Sequence, residues 1–297
     1  METVDLKKLG NTPIIRLKKI EKEFRLNTLI YAKNESENPT GSIKDRAVYQ
    51  MLLDGVNSGL LKEGYTVVEA TSGNTGISLA AFGPLFGLKV VIVMPDNMSL
   101  KRRELIKAYG AELCLIKGGM KECSEYAQKL VKKTQNSIIL GQFDNLSNMK
   151  AHFLTTGKEI DEQVENADYI FAGIGSGGTI SGIGKYMKEN NKLTKCIGIE
   201  PKQSPLITKG IAGGHLIHGI GANFIPNNYV EKYVDEVVTV DDVSSIEMSK
   251  KILELENIDV GYSSGANLLA AITYIKEHKI SGGKVVVIFP DTGTRYR

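Results

Sequence analysis

Thr66-Val67-Val68-Glu69-Ala70-Thr71-Ser72-Gly73-Asn74-Thr75-Gly76-Ile77-Ser78-Leu79-Ala80-Ala81-Phe82 reads in three steps. Thr66 to Glu69 is a β-branched run, Ala70 to Gly76 a polar glycine turn, and Ile77 to Phe82 an apolar helix of small residues. Strand, turn and helix in this order make half of a parallel α/β unit. Similar apolar runs recur at Lys89–Met94, Glu112–Ile116, Tyr169–Ala172, Cys196–Glu200 and Lys284–Phe289, separated by helix-length segments. They are continuous instead of alternating, so the strands are covered on both faces, as in parallel sheets. The expectation is an α/β protein of two doubly wound units, one from about Lys44 to Phe143 and one from about Ala151 to the end. No Pro/Ser/Gly-rich linker or internal repeat separates them, so they pack face to face. Ligands then bind in the cleft beyond the carboxyl ends of the strands.

Composition narrows the function. The 297 residues are 42% hydrophobic and 24% charged, which suffices for a buried core. A net charge of +3, with only short basic clusters such as Lys101-Arg102-Arg103, gives no track for nucleic acid and no membrane-binding face. No apolar run reaches the roughly 18 residues of a membrane span, and the start, Met1-Glu2-Thr3-Val4-Asp5, lacks a signal pattern. A cytoplasmic protein with small-molecule partners is expected. Cys114, Cys123 and Cys196 have no CxxC spacing and read as buried reduced thiols, and the four histidines show no ligand spacing, so no metal is expected.

Three loops concentrate glycines and hydroxyls. Thr71, Ser72, Asn74 and Thr75 crowd a helix start where a cap needs one such residue, and backbone N–H groups there can hold a carboxylate or phosphate. Gly173-Ile174-Gly175-Ser176-Gly177-Gly178-Thr179 lies between a strand and a helix. It matches GxGxxG, with Glu200 near the place of a ribose-binding acid, so a nicotinamide-dependent oxidoreductase is one reading. The extra Gly177 and the flanking Ser176 and Thr179 also suit a cup for a terminal phosphate monoester. Val260-Gly261-Tyr262-Ser263-Ser264-Gly265 follows the same plan, as does Pro290-Asp291-Thr292-Gly293-Thr294-Arg295-Tyr296.

One lysine stands in a setting of its own kind. Asn38-Pro39-Thr40-Gly41-Ser42-Ile43-Lys44-Asp45-Arg46 combines turn-forming pairs with a helix start at Ser42. An amine at the positive end of a helix is disfavoured as ammonium and serves as a nucleophile or imine-forming group; the competing reading is a solvated surface charge.

Taken in this order, the lysine turn, anion loop, phosphate cup and hydroxyl loop resemble the fold-type II enzymes that use pyridoxal 5′-phosphate. The likeness is to the cysteine synthase (O-acetylserine sulfhydrylase) and cystathionine β-synthase branch, and it runs from Leu9-Gly10-Asn11-Thr12-Pro13 to Gly293-Thr294-Arg295-Tyr296. It implies that Lys44 binds the cofactor aldehyde and moves the substrate Cα proton. Asn74 would bond the ring hydroxyl oxygen. Gly175, Ser176, Gly177, Gly178 and Thr179 would hold the phosphate, and Ser263 would face the pyridine nitrogen. Thr71, Ser72, Gly73, Thr75 and Gln142 would clamp the substrate carboxylate, with Gly221 and Asn223 in the pocket loop. By the same resemblance, residues 44–143 form a smaller mobile domain, and 10–43 with 151–297 a larger one.

The reaction implied is β-replacement, O-acetyl-L-serine and sulfide giving L-cysteine and acetate. The same scaffold run from cysteine releases hydrogen sulfide. Family habits add a homodimer and a complex with serine acetyltransferase, without a haem-binding or regulatory domain. Three departures bear on this. Asn223 stands where glycine is usual in Gly219-Ile220-Gly221-Ala222-Asn223-Phe224-Ile225-Pro226, either as a polar group biasing the second substrate or as a turn asparagine. The Ile211 to His218 segment is shorter than usual, and the chain ends at Arg297 soon after Tyr296.

Overall fold

A computed structural model describes residues 4–296. Ten strands are formed: β1 (Ile14–Arg16), β2 (Leu29–Asn34), β3 (Thr66–Ala70), β4 (Lys89–Pro95), β5 (Glu112–Ile116), β6 (Ser137–Ile139), β7 (Tyr169–Gly173), β8 (Lys195–Pro201), β9 (Glu236–Val240) and β10 (Lys284–Phe289). They make a six-stranded sheet, β1-β2-β10-β7-β8-β9, and a four-stranded sheet, β5-β4-β3-β6. Every pairing is parallel except β1 with β2. The expected α/β fold with parallel-rich sheets is the one observed.

The apolar runs are continuous because consecutive side chains enter different cores. On β10, Val285, Val287 and Phe289 pack with Phe171, Ile197 and the helices Asp242–Glu256 and Tyr262–Glu277. Val286 and Ile288 point the other way, onto Ile170, Ile180, Ile183 and Met187. The small sheet repeats this: Val67, Ile92 and Met94 face Ile77, Leu79 and Phe82, whereas Val68, Val91 and Val93 face Cys123 and Ala127. Each such side chain contributes about 1.5–3 kcal/mol by leaving water, so one polar substitution in a central strand damages a layer on one face only.

Chain order explains where the sheets meet. The chain lays down β1 and β2 in the large sheet, leaves to build the whole small sheet, and returns with β7 to β10. Helix Lys44–Asn57 makes the outward crossing. Ile43 still packs with the large-sheet core, whereas Ala47, Val48, Met51 and Leu52 belong to the small-sheet core. Lys44 therefore stands at the seam. Among the described residues no helix is long and apolar enough to cross a membrane.

Candidate active site

A cavity of about 410 Å³ opens between the two sheets, at the carboxyl ends of β3, β7 and β10. That volume is in the range of small-molecule sites. Its wall carries Lys44, Thr71, Ser72, Gly73, Asn74, Thr75, Gln142, Gly175, Ser176, Gly177, Thr179, Gly221, Asn223 and Ser263, residues from six separate segments of the chain. Of the residues that the family resemblance assigns to the site, Gly178 alone is not on the wall; a Cβ there would fall 2.2 Å from Asn148 Oδ1, so it serves close packing behind the cup.

Lys44 is the first residue of its helix. Ser42 is not the capping residue, since the helix is entered through Ile43 without a side-chain cap; the Ser42 hydroxyl instead accepts from the Lys44 N–H at 3.3 Å. Burial lowers the Lys44 pKa, and the charge of Asp291 opposes that shift. The next residue, Asp45, is held by Ser78 Oγ at 2.6 Å and by the Thr40 N–H at 2.6 Å; burial pushes its carboxyl up to about 6. The turn Asn38–Ile43 is thus anchored from both sides of the lysine.

The loop after β3 enters helix Asn74–Phe82 through Gly73. Thr75 donates to Gln142 Oε1 at 2.6 Å, linking this loop to the one after β6. Behind Gln142 lies the Glu69 carboxylate, which accepts from Gly141 N–H at 2.9 Å and Gln142 N–H at 3.3 Å. Burial pushes Glu69 up to about 7 against those bonds. Asn74 is tightly held: its Nδ2 donates to Asp291 Oδ2 at 2.7 Å, and its Oδ1 accepts from Arg295.

The cup after β7 is built by glycines that backbone neighbours require. A Cβ on Gly175 would lie 2.1 Å from the Gly219 carbonyl oxygen. Gly177 adopts φ +82°, with Tyr229 N 2.5 Å from the would-be Cβ. Helix Gly178–Glu189 starts directly from it and presents its amide end to the cavity. Ser176 accepts from Asn148 Nδ2 at 2.9 Å, and Thr179 Oγ1 lies 3.3 Å from His152 Nε2. Gly177→Ala is expected to weaken phosphate-anchored ligand binding by at least about five-fold, since the strain of such a position is roughly 1–3 kcal/mol. A cofactor dissociation constant equal to wild type, read by fluorescence titration, would contradict this.

Glu200, the candidate ribose acid, is not on the cavity wall. Its carboxylate accepts from Ile207 N–H (2.8 Å), Thr208 N–H (2.9 Å) and the Thr208 hydroxyl (2.5 Å), which commits it to the start of the short helix Leu206–Lys209. The GxGxxG match therefore lacks the acid a dinucleotide site uses. Asn223 has φ +62° and its Oδ1 accepts from Ser204 Oγ at 2.7 Å, so it fills the left-handed turn position and ties the pocket loop down.

Several wall residues lay outside the sequence assignment. Asp291 and Tyr296 were visible only as part of a hydroxyl-bearing terminal loop, and Arg102, His215 and His218 had no local motif. A carboxylate two residues beyond the last parallel strand, at the sheet's ligand end, was the available signal for Asp291. The residues fit a phosphorylated aldehyde. The glycine cup leaves space no side chain could share, the only lysine on the described wall has a depressed pKa, and Asn267 presents a buried, unpartnered Oδ1 one helical turn after Ser263.

The sequence profile of the family described as "Pyridoxal-phosphate dependent enzyme" matches residues 6–291. A protein named cysteine synthase B from Campylobacter jejuni is 44% identical over 291 residues, covering 97% of this chain and 94% of its own. Among solved structures, cysteine synthase from Entamoeba histolytica superposes with TM-score 0.94 at 35% identity, over 98% of this chain and 88% of that one. A hydrogen sulfide-producing enzyme from Fusobacterium nucleatum also gives TM-score 0.94, at 37% identity over 100% and 98% of the two chains.

Proposed function

We propose, because the chain belongs to the pyridoxal-phosphate dependent enzyme family, that it is a cysteine synthase, converting O-acetyl-L-serine and sulfide to L-cysteine and acetate. The observation that carries this reading is that Lys44, the only lysine on the described cavity wall, shares that wall with Gly175, Ser176, Gly177 and Thr179 and with the Thr71–Thr75 loop.

When bound, pyridoxal phosphate supplies an aldehyde for an amine and a ring that withdraws electrons from the substrate Cα. This chain's residues do the rest. The Gly175–Thr179 backbone and hydroxyls hold the phosphate, with the amide end of helix Gly178–Glu189 behind it. Ser263, a neutral hydroxyl on the first turn of helix Tyr262–Glu277, would serve as the partner of the ring nitrogen. Thr71, Ser72, Gly73 and Thr75 bind the substrate carboxylate, and Gln142 closes over it. Lys44, its amine favoured by burial, takes the Cα proton and returns it after the nucleophile has added.

The smaller unit, residues 44–143, carries Lys44 and the carboxylate loop, and residues 10–43 with 151–297 carry the cup. Movement of one against the other excludes water while the Cβ substituent leaves. A homodimer, a complex with serine acetyltransferase and a cytoplasmic setting extend the reading. Support for the setting is that Cys114, Cys123 and Cys196 are all free thiols. A sedimentation mass of one chain would remove the dimer.

The decisive assay measures cysteine formation from O-acetyl-L-serine and sulfide beside sulfide release from cysteine. Cysteine formation should dominate; an enzyme that only releases sulfide would shift the assignment to cysteine breakdown, and the Fusobacterium structure is named a hydrogen sulfide-producing enzyme. Asn223 bears on this partition. Its side chain is turned to Ser204, so Asn223→Gly is expected to change the ratio of the two rates by less than about two-fold. A larger change would give the amide a role in second-substrate choice.

A further inference from the structure

Asp291 follows β10 by two residues and is the point where three parts of the site join. Its segment is zipped to the turn before Lys44: Ile43 N–H donates to the Pro290 carbonyl at 2.8 Å, Thr292 N–H donates to the Gly41 carbonyl at 3.2 Å, and Ser42 pairs with Asp291 as an isolated bridge. On the other side, Gly261 N–H donates to the Asp291 carbonyl at 3.0 Å, two residues before Ser263. The side chain is 2% exposed. Oδ2 accepts from Asn74 Nδ2 at 2.7 Å and from the Tyr296 hydroxyl at 2.5 Å, while Oδ1 is buried without a hydrogen-bond partner. A Cβ on Gly261 would come within 2.1 Å of that Oδ1, so the loop before Ser263 is shaped around the carboxylate.

The Asn74 amide is oriented by this arrangement. Its oxygen is committed to Arg295, which also binds the Thr40 carbonyl, and one amide hydrogen is committed to Asp291. The free polar hydrogen left to Asn74 belongs to Nδ2, so it meets a ligand as a donor. Charge is the second part. The groups that face Asp291 are Lys44, Arg295, Tyr296 and His218. Lys44 is faced by Asp291 and by His152, whose pKa is driven well below its usual value by burial and then by the Arg46 and Lys44 charges. The Asp291 carboxylate thus favours the protonated Lys44 amine against the effect of burial.

We propose that Asp291 is a positioning residue of the active site, holding Asn74 as a hydrogen-bond donor towards the ligand and serving as the counter-charge of the protonated Lys44 amine. This rests on the cofactor reading above. It explains why a carboxylate with an unsatisfied oxygen is kept in the wall: an uncompensated buried charge is costly unless a cation uses it.

The test is the pH dependence of cofactor capture by full-length apoprotein, with pyridoxal phosphate itself as probe and stopped-flow absorbance as readout. Only the free amine reacts, so the midpoint of the rate profile reports Lys44. In Asp291→Asn the midpoint should fall by about one pH unit, the size expected on losing a nearby opposite charge, and the absorbance maximum of the captured cofactor should move as Asn74 loses its fixed orientation. Tyr296→Phe leaves the carboxylate charge in place, so its midpoint should stay or rise, a result readable even if Asp291→Asn fails to fold. An unmoved or higher midpoint in Asp291→Asn would overturn the proposal. So would a fall in Tyr296→Phe, which would trace the shift to a loosened loop. Wild-type protein that captures no pyridoxal phosphate would instead refute the cofactor reading.

Discussion

Lys44→Ala is expected to fold, to bind pyridoxal phosphate without a covalent bond, and to lose at least about 10³-fold in turnover, the scale of removing a positioned acid–base group that also carries the covalent step. The fold survives because Lys44 contributes little to either core: the apolar residues of its helix, Ala47, Val48, Met51 and Leu52, hold that segment on the small sheet, and Ile43 holds the turn on the large one. The chemistry does not survive, because no other described lysine lines the cavity. Residual phosphate binding is expected, since the Gly175–Thr179 cup is built by backbone contacts to Gly219 and Tyr229 that the substitution leaves alone. Cofactor content after dialysis and steady-state rates check both halves. Turnover within ten-fold of wild type would remove Lys44 from the mechanism.

Arg46→Ala is expected to cost about 3–5 kcal/mol of stability, the largest loss foreseen for a single side chain of this protein, because it strands buried carboxylates. Two residues beyond Lys44, the Arg46 guanidinium donates from Nε to Glu35 at 2.6 Å, from one terminal nitrogen to Glu159 at 2.5 Å, and from the other to Glu35, Glu159 and the Thr12 hydroxyl. Lys33 completes the group, 2.6 Å from Glu159 and 2.7 Å from the Thr12 carbonyl. Burial alone would raise the Glu159 pKa, yet Arg46 and Lys33 bring it down to about 2. The sign follows: the native state binds fewer protons than the unfolded chain between about pH 4.5 and 2, so this contribution is present above that window and fades as pH falls through it. The cluster joins Thr12, the end of β2, the first turn of the Lys44 helix and helix Gly157–Gln163, and so fixes Lys44 relative to the large sheet. Urea unfolding reads the loss; a change below about 1 kcal/mol would show that the carboxylates find other partners.

The sequence made the architecture readable where strands are buried on both faces. Five of the six runs from Thr66 to Phe289 stand out because neighbouring side chains enter cores on opposite faces, giving nearly unbroken apolar stretches; Glu112–Ile116 is the exception, an edge strand on which Leu115 is exposed. β2 does not stand out because it ends in Lys33 and Asn34, polar residues of which Lys33 is buried through partners distant in the chain, such as Glu159, and Asn34 is bonded within its own turn to Ser36 and Glu37. β1 and β6 are three residues long, and β9 is an edge strand that is half-buried over most of its length. The site was readable in the same sense. Loops that cradle a ligand with their own backbone carry dense local signals of glycine and hydroxyl, as at Thr71–Gly76 and Gly173–Thr179. Asp291, Arg102 and His218 act singly across the cavity, and no spacing along the chain encodes a meeting between Asn74 and Asp291. Glu200 shows the converse, an acid at a motif's spacing whose oxygens are spent on a helix start.

Catalysis in this protein is expected to run through a cofactor carried by Lys44. Borohydride reduction of the wild-type holoenzyme, followed by peptide mapping by mass spectrometry, tests it most directly. The predicted result is one modified peptide, carrying the reduced phosphopyridoxyl group on Lys44, together with loss of cysteine formation in proportion to labelling. A label on another lysine, or an unlabelled protein that still makes cysteine from O-acetyl-L-serine and sulfide, would contradict it.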